Sequence, residues 1–215
     1  MRTVEQLPEA CGYAGAQMLG ATKALILGDE DEARAVIRVH DDLTVRTVEA
    51  EASALQLLVR QEGDLRDVAV SLQTVADVNQ MNILARRVAR VALRALPMHA
   101  LPEDVNGYFS EMGDRADQLG SRLRELLEGT TQMHRIRHEE DEIDRQHRRL
   151  FNFMTGPEWM HGVAVALDVI RADKYYERFT DHAVAIADRM QLLNEGNAPA
   201  PASDDTPPHT PPPIT

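Results

Sequence analysis

Four carboxylates in the second half of the chain carry the sharpest chemical signal: Glu140 with Asp144, and Glu177 with Asp181. Each pair is spaced i, i+4, which in a helix stacks the two side chains one turn apart on one face. With Glu140 set at 0° and about 100° per residue, Met133, Ile136, Ile143, Leu150, Phe151 and Met154 fall between about −80° and +20°. Glu140 then lies inside the apolar sector, with Asp144 at its margin near ~40°. Glu177 shares a face with Val163, Ala166, Ile170 and Val184. Asp181 follows one turn later, and Asp173 and Asp188 join the same stripe. A carboxylate on an apolar face is costly unless it is paired, protonated or bound to a metal. Two such pairs on antiparallel helices converge on one point, and four oxygen donors suit a hard or borderline divalent or trivalent cation. Spacing alone leaves a second reading open, a solvated acidic stripe whose partners are Arg145 and Arg178.

Other constellations point to less. His134 and His138 have ligand spacing, yet with Asp141 they project to the wetter side of their helix. A ferritin-like di-metal oxidoreductase needs two inward ExxH motifs besides two further glutamates. Glu158 and His161 have that spacing but sit at a helix start beside Pro157, and Asp144 with His147 is only a DxxH. No glycine-rich phosphate loop is present, which argues against ATP hydrolysis. Cys11 is the single cysteine. It cannot form an internal disulfide, fits a reducing compartment, and reads as a small buried residue rather than a nucleophile. Trp159 reads as a core anchor at a helix start, and Tyr175 and Tyr176 as packing residues.

The elements that must position these groups are helices. Period-3.6 patterns run over about 9–28, 29–61, 64–95, 102–129, 131–155 and 158–194. Gly28-Asp29, Glu62-Gly63-Asp64, Pro97 to Pro102, Gly129-Thr130 and Thr155-Gly156-Pro157 separate them. Connections this short make antiparallel neighbours. The six helices form two triplets of one rhythm, repeated about every 100 residues. The expected fold is therefore all-α: two tandem three-helix bundles from an internal duplication, residues 1–96 and 97–196. Each bundle would bury a modest core alone and more when packed together. Residues 197–215, with seven prolines, read as a disordered tail.

Composition agrees. Of 215 residues 43% are hydrophobic but only 4% aromatic, which suits helices packed through small and aliphatic side chains. The 35 acidic and 23 basic residues leave a net charge of −12, which disfavours nucleic acid and anionic lipid as direct partners. No window is long and apolar enough to span a membrane, and the N-terminus carries no signal-peptide pattern, so a cytoplasmic protein is expected. Methionines, nine in all, are expected to fill irregular gaps between the bundles.

The segment Tyr176-Glu177-Arg178-Phe179-Thr180-Asp181-His182-Ala183-Val184-Ala185-Ile186-Ala187 resembles the LERIGDHAVNIA signature of the PhoU phosphate-uptake regulators. Glu140-Asp141-Glu142-Ile143-Asp144, followed by Leu150-Phe151, resembles the partner motif of the same repeat. Gly63-Asp64-Leu65-Arg66 resembles the DLR element of the first repeat. The resemblance implies two similar three-helix bundles and a regulator rather than a catalyst. Its expected partners are the phosphate ABC transporter ATPase and the sensor histidine kinase that reads phosphate supply, whose response it holds off when phosphate is plentiful. It also implies a homodimer, and a metal at the ExxxD motifs, iron or zinc first and magnesium or manganese next. Such a protein would be cytoplasmic, reaching the inner face of the membrane through its partners.

Only Glu140, Asp144, Glu177 and Asp181 match the ligand pattern. Aligning the halves sets His40 and Thr44 against the first pair and Asn79 and Ile83 against the second, so no first-half cluster is carried over. Asp41 and Asp42 point away from the corresponding face. A metal-free PhoU-like adaptor with other partners is the alternative.

Overall fold

Pro8 in the first turn and Gly28 at the end delimit the first helix, α1 (Leu7–Leu27). Proline is pre-set for a helix start, and Gly28 adopts φ 66°, the left-handed cap that lets its N–H reach Ala24 O. Asp29 then caps α2 (Glu30–Arg60), its Oδ1 accepting from Glu32 N at 3.0 Å. Asp64, the aspartate of the DLR element, does the same for α3 (Leu65–Ala95), accepting from Arg66 N at 2.8 Å. A 3₁₀ turn over Glu103–Val105 leads into α4 (Asn106–Leu127), which ends in the second left-handed glycine, Gly129 at φ 76°. The last two helices are α5 (Met133–Thr155) and α6 (Gly162–Gly196). The structure is a computed structural model describing residues 6–60, 64–96, 98 and 100–196. The proline-rich segment 197–215, expected as a tail, lies outside the described residues, as do the side chains of His40, Asp41, Asp42 and Thr44.

Helices α1–α3 form one bundle and α4–α6 the other, as the periodicity predicts. The two do not keep separate cores. One continuous set of buried side chains runs through all six helices, from Ala14, Met18 and Ala21 through Met81 and Ala85 to Phe109, Met112, Phe179 and Ile186. Leu7, Ala54, Val68 and Val75 form a satellite cluster. The seam lies chiefly between α1 and α4, with α3 against α6 beside it.

Glycine makes the α1–α4 approach close. A Cβ on Gly120 would stand 2.7 Å from Cys11 O and 2.8 Å from Gly15 Cα, and one on Gly15 would stand 2.9 Å from the carbonyls of Ala116 and Asp117. Met18, Met81 and Met112 are all fully buried in the continuous core. Tyr176 crosses the seam to a buried hydrogen bond between its hydroxyl and Thr22 Oγ1 (2.8 Å), its ring 5.5 Å from that of Phe109.

Cys11 is completely buried in this seam, and burial pushes its thiol up to about 12. The folded state therefore keeps a proton that the unfolded chain gives up. This contribution to stability is full below the ordinary thiol range and is lost as pH climbs from there towards 12. At pH 8, iodoacetamide followed by mass spectrometry is expected to label native protein at least ~100-fold more slowly than denatured protein. Equal rates would contradict this burial.

Candidate functional site

The buried face of α5 is built from Ile136, Glu139, Ile143, Gln146, Leu150 and Met154. These positions centre at about −75° on the wheel that puts Glu140 at 0°. The expectation that Glu140 points inward is therefore corrected. Phe151, counted among the apolar face, is 58% exposed, and including it with Met133 turned the inferred sector towards Glu140. The inward carboxylate is Glu139, one residue earlier. It is 4% exposed, and its Oε2 accepts from Arg115 Nη1 of α4 at 3.2 Å. Burial works against the Arg115 charge, but hydrogen bonds to Glu139 and Glu111 hold its guanidinium above the usual range. The signal was in the sequence: Glu139 is i+3 from Ile136 and i−4 from Ile143.

The buried face of α6 is Val169, Ala172, Tyr176, Phe179, Ala183, Ile186 and Met190. Val163 is 77% exposed, so the stripe expected to carry Glu177 inward faces outward over its first turns. Glu177 is half-buried and takes a hydrogen bond from Lys174 Nζ at 2.6 Å, a contact that raises Lys174 above the ordinary ammonium range. Glu140 is held by Arg137 Nη1 at 2.8 Å. Asp144 and Asp181 are exposed. The expected partners differ too, because Arg145 pairs with Glu142 instead, at 2.6 Å.

Two cross-helix contacts fix how α5 and α6 face each other. His147 Nδ1 meets Asp173 Oδ1 at 2.5 Å near one end, and Arg137 Nη2 meets Asp188 Oδ1 at 2.5 Å near the other. Both ExxxD pairs lie between them, on the open side of an antiparallel helix pair. Asp144 and Glu177 line one cleft of about 540 Å³ with His147, Asp173 and Lys174, against an apolar wall of Phe151, Met154 and Ile170. The donor set has the chemistry for a hard cation, and two of its members, Asp144 and Glu177, share that cleft. Yet among the described residues no three His, Cys, Asp or Glu side chains gather as one ion requires. Glu140 and Glu177 would first have to release Arg137 and Lys174.

Of the remaining candidates, His161 and Trp159 have structural partners. His134 and His138 are exposed, as their wheel positions predict. His161 meets Asp104 at 2.8 Å, away from any inward ExxH partner, so the ferritin-like pattern is not assembled. Trp159 is half-buried, packs edge-on to Phe153 and donates from Nε1 to Gly162 O at 3.0 Å. Asn79 and Ile83 of the first half are half-buried on α3.

One residue of the signature segment has a role that spacing did not reveal. His182 Nδ1 donates to Asp77 Oδ1 of α3 at 2.7 Å, and Asp77 also accepts from Arg189. Burial and nearby Arg178 push His182 below the ordinary imidazole range despite Asp181. This histidine ties the two bundles together.

Six helices in two bundles fused through one core, with carboxylates on the outer face of the second, define an all-helical double-bundle protein. The sequence comparisons narrow the class. A family model described as PhoU domain matches residues 109–190. Phosphate-specific transport system accessory protein PhoU homolog 2 of Mycobacterium tuberculosis is 44% identical over 200 residues, 91% of this chain and 94% of that protein. PhoU homolog 1 of Mycobacterium leprae is 42% identical over 209 residues, 95% and 93% of the two chains. The chain belongs to the PhoU family. Its fold matches PhoU from Pseudomonas aeruginosa at a TM-score of 0.68, with 20% identity over 89% of this chain and 95% of that one.

Proposed function

We propose that this chain is a negative regulator of phosphate uptake and of the phosphate-starvation two-component response, and that it acts by contact with partners rather than by catalysis. The observation that carries this reading is the end-to-end similarity to proteins named accessory proteins of the phosphate-specific transport system. The proposed partners are the sensor histidine kinase and the ABC transporter ATPase. Docking shifts the partner's conformational balance, and the net charge of −12 supplies orientation and on-rate against a basic surface. No described helix is long and apolar enough to cross a membrane, which accords with a cytoplasmic protein that meets the membrane only through partners. A homodimer belongs to the proposal, as does the reading of residues 1–96 and 97–196 as two copies of one repeat.

Glu140, Asp144, Glu177 and Asp181 are the residues proposed to hold a metal ion, iron or zinc first and magnesium or manganese next. When bound it would supply charge neutralisation between α5 and α6. The rival reading, a metal-free adaptor, is favoured by one observation: Arg137 and Lys174 already neutralise Glu140 and Glu177.

A strain lacking the chain is expected to express its phosphate-starvation genes in rich phosphate, where the parent keeps them silent. Purified chain is expected to bind the kinase's cytoplasmic portion or the ATPase in calorimetry, with an on-rate that falls as salt rises. Silence in the deletion strain, with no binding to either protein, would leave only the adaptor with other partners. Elemental analysis after reconstitution is expected to give about one metal equivalent or more in the wild type. That metal should be lost in Glu177→Ala/Asp181→Ala.

A further inference from the structure

We infer that a second copy of this chain covers the outer stripe of α2, taking it into the groove between its own α5 and α6, and that the contact is made twice about a two-fold axis. The inference rests on the homodimer proposed above and names the surfaces that form it. On α2, Val48, Ala52, Leu55 and Val59 follow one another at intervals of four, three and four residues. With Val48 at 0°, the other three fall at about 40°, −20° and 20°, a single seam of the kind that packs against another helix. Ala54 turns the other way, into the satellite cluster with Val68 and Val75. The seam is therefore not what holds α2 to its own bundle, and Val48, Leu55 and Val59 are between 47% and 84% exposed.

The groove is concave where the stripe is convex. His147 and Asp173 set the register of the antiparallel pair, which brings Phe151 level with Ile170, beside Met154 in one cleft. Leu167 and Val163 continue the Ile170 row towards the turn, three and seven residues earlier. Phe151, Leu167 and Val163 are as exposed as the α2 stripe. Charge agrees with shape. Residues 48–59 hold two glutamates, Glu49 and Glu51, and no Lys or Arg. Residues 145–174 hold five Lys and Arg against three Asp and Glu, in a chain whose net charge is −12. Arg148 and Lys174 stand in the cleft lining itself. An acidic amphipathic stripe in an apolar groove rimmed by cations is helix-in-groove recognition, with charge fixing the orientation.

One molecule does not cover its own faces. α2 packs on α1 and α3, and α5 on α4 and α6, so stripe and groove belong to different bundles. A second copy carries both halves of the match. Reciprocal seating covers six large apolar side chains per copy, on the order of 400 Å². That is close to the apolar share of the ~800 Å² per partner that a stable complex buries. A contact made twice about a two-fold axis closes at two copies and leaves neither face to recruit a third.

The test is light scattering on the eluting full chain at about 100 μM, with Val59→Lys on α2, Leu167→Glu in the groove and the control Leu192→Lys, an exposed apolar residue elsewhere on α6. Circular dichroism confirms that all are folded. Wild type and control are expected at the mass of a dimer. Each stripe or groove variant alone is expected to dissociate at least ~10-fold more readily. An equimolar mixture of the two variants is expected to recover the dimer, because it pairs the intact stripe of one with the intact groove of the other and sets the new lysine against the new glutamate. A monomeric wild type overturns this inference and the homodimer reading together. Variants as dimeric as wild type overturn the interface and leave the homodimer standing. Loss in one variant only, or no recovery on mixing, overturns the pairing of stripe with groove, and a mass above the dimer overturns the two-fold closure.

Discussion

Replacing Gly120 by alanine is expected to destabilise the protein by about 2–3 kcal/mol, although alanine is the better helix former by about 1 kcal/mol. The reason is what the new methyl would meet: Cys11 O at 2.7 Å, with Gly15 Cα and N at 2.8 and 2.9 Å. All three are backbone atoms of α1, so no rotamer change relieves the contact and the helices must move apart. Separation opens gaps around Met18 and Met112, which are fully buried. The control is Gly107→Ala on the same helix, where a Cβ would meet nothing within 4 Å. There the change is expected to be neutral or to stabilise by about 0.5 kcal/mol. Urea denaturation followed by far-UV circular dichroism measures both. If the two variants are equally stable, the close approach of α1 and α4 is not what sets their spacing.

The second large effect concerns the carboxylate that points inward. Arg115→Met is expected to cost about 3 kcal/mol, because it leaves Glu139 buried without its partner. The Glu139 side chain is 5% exposed and that of Arg115 24%, so water cannot replace the guanidinium without rearrangement. The double variant Arg115→Met/Glu139→Leu is expected to recover most of that loss, since an apolar pair of similar volume removes both charges together. Glu111→Gln, which takes only the 42% exposed partner of Arg115, is expected to cost less than about 1 kcal/mol. Additive single effects in this cycle would mean that Arg115 and Glu139 do not act as a pair. The same double variant is expected to leave metal titration unchanged, because neither residue belongs to the outer face.

The helix boundaries were legible because their signals are local. Gly28 and Gly129 stop helices through a backbone conformation that glycine adopts freely, and Asp64 announces α3 by capping it. The two-bundle architecture followed from helix length and short connections. The facing of α5 was harder, because one exposed aromatic moved the apparent apolar sector. Phe151 reads as core in any hydrophobic count, and only its surroundings reveal that nothing covers it. Contacts that depend on two distant residues were not legible at all. Asp77 with His182, and Gly15 with Gly120, are separated by most of one bundle or more, and a single sequence does not say which helix will lie beside which. The metal reading shows the same division. Spacing put the four carboxylates on α5 and α6, while the cations that engage Glu140 and Glu177, namely Arg137 and Lys174, emerged only from the folded geometry.

The unbroken core through both bundles limits how this protein can convey information. Its two halves are fused along α1 and α4 and pinned again where Asp77 meets His182 and Arg189, so neither half can swing on the other without exposing core residues. A molecule built this way is a wedge rather than a lever. In the regulatory role proposed above, its message to a partner would be whether it is seated or absent, and the switching part of the system would belong to whatever it is seated on.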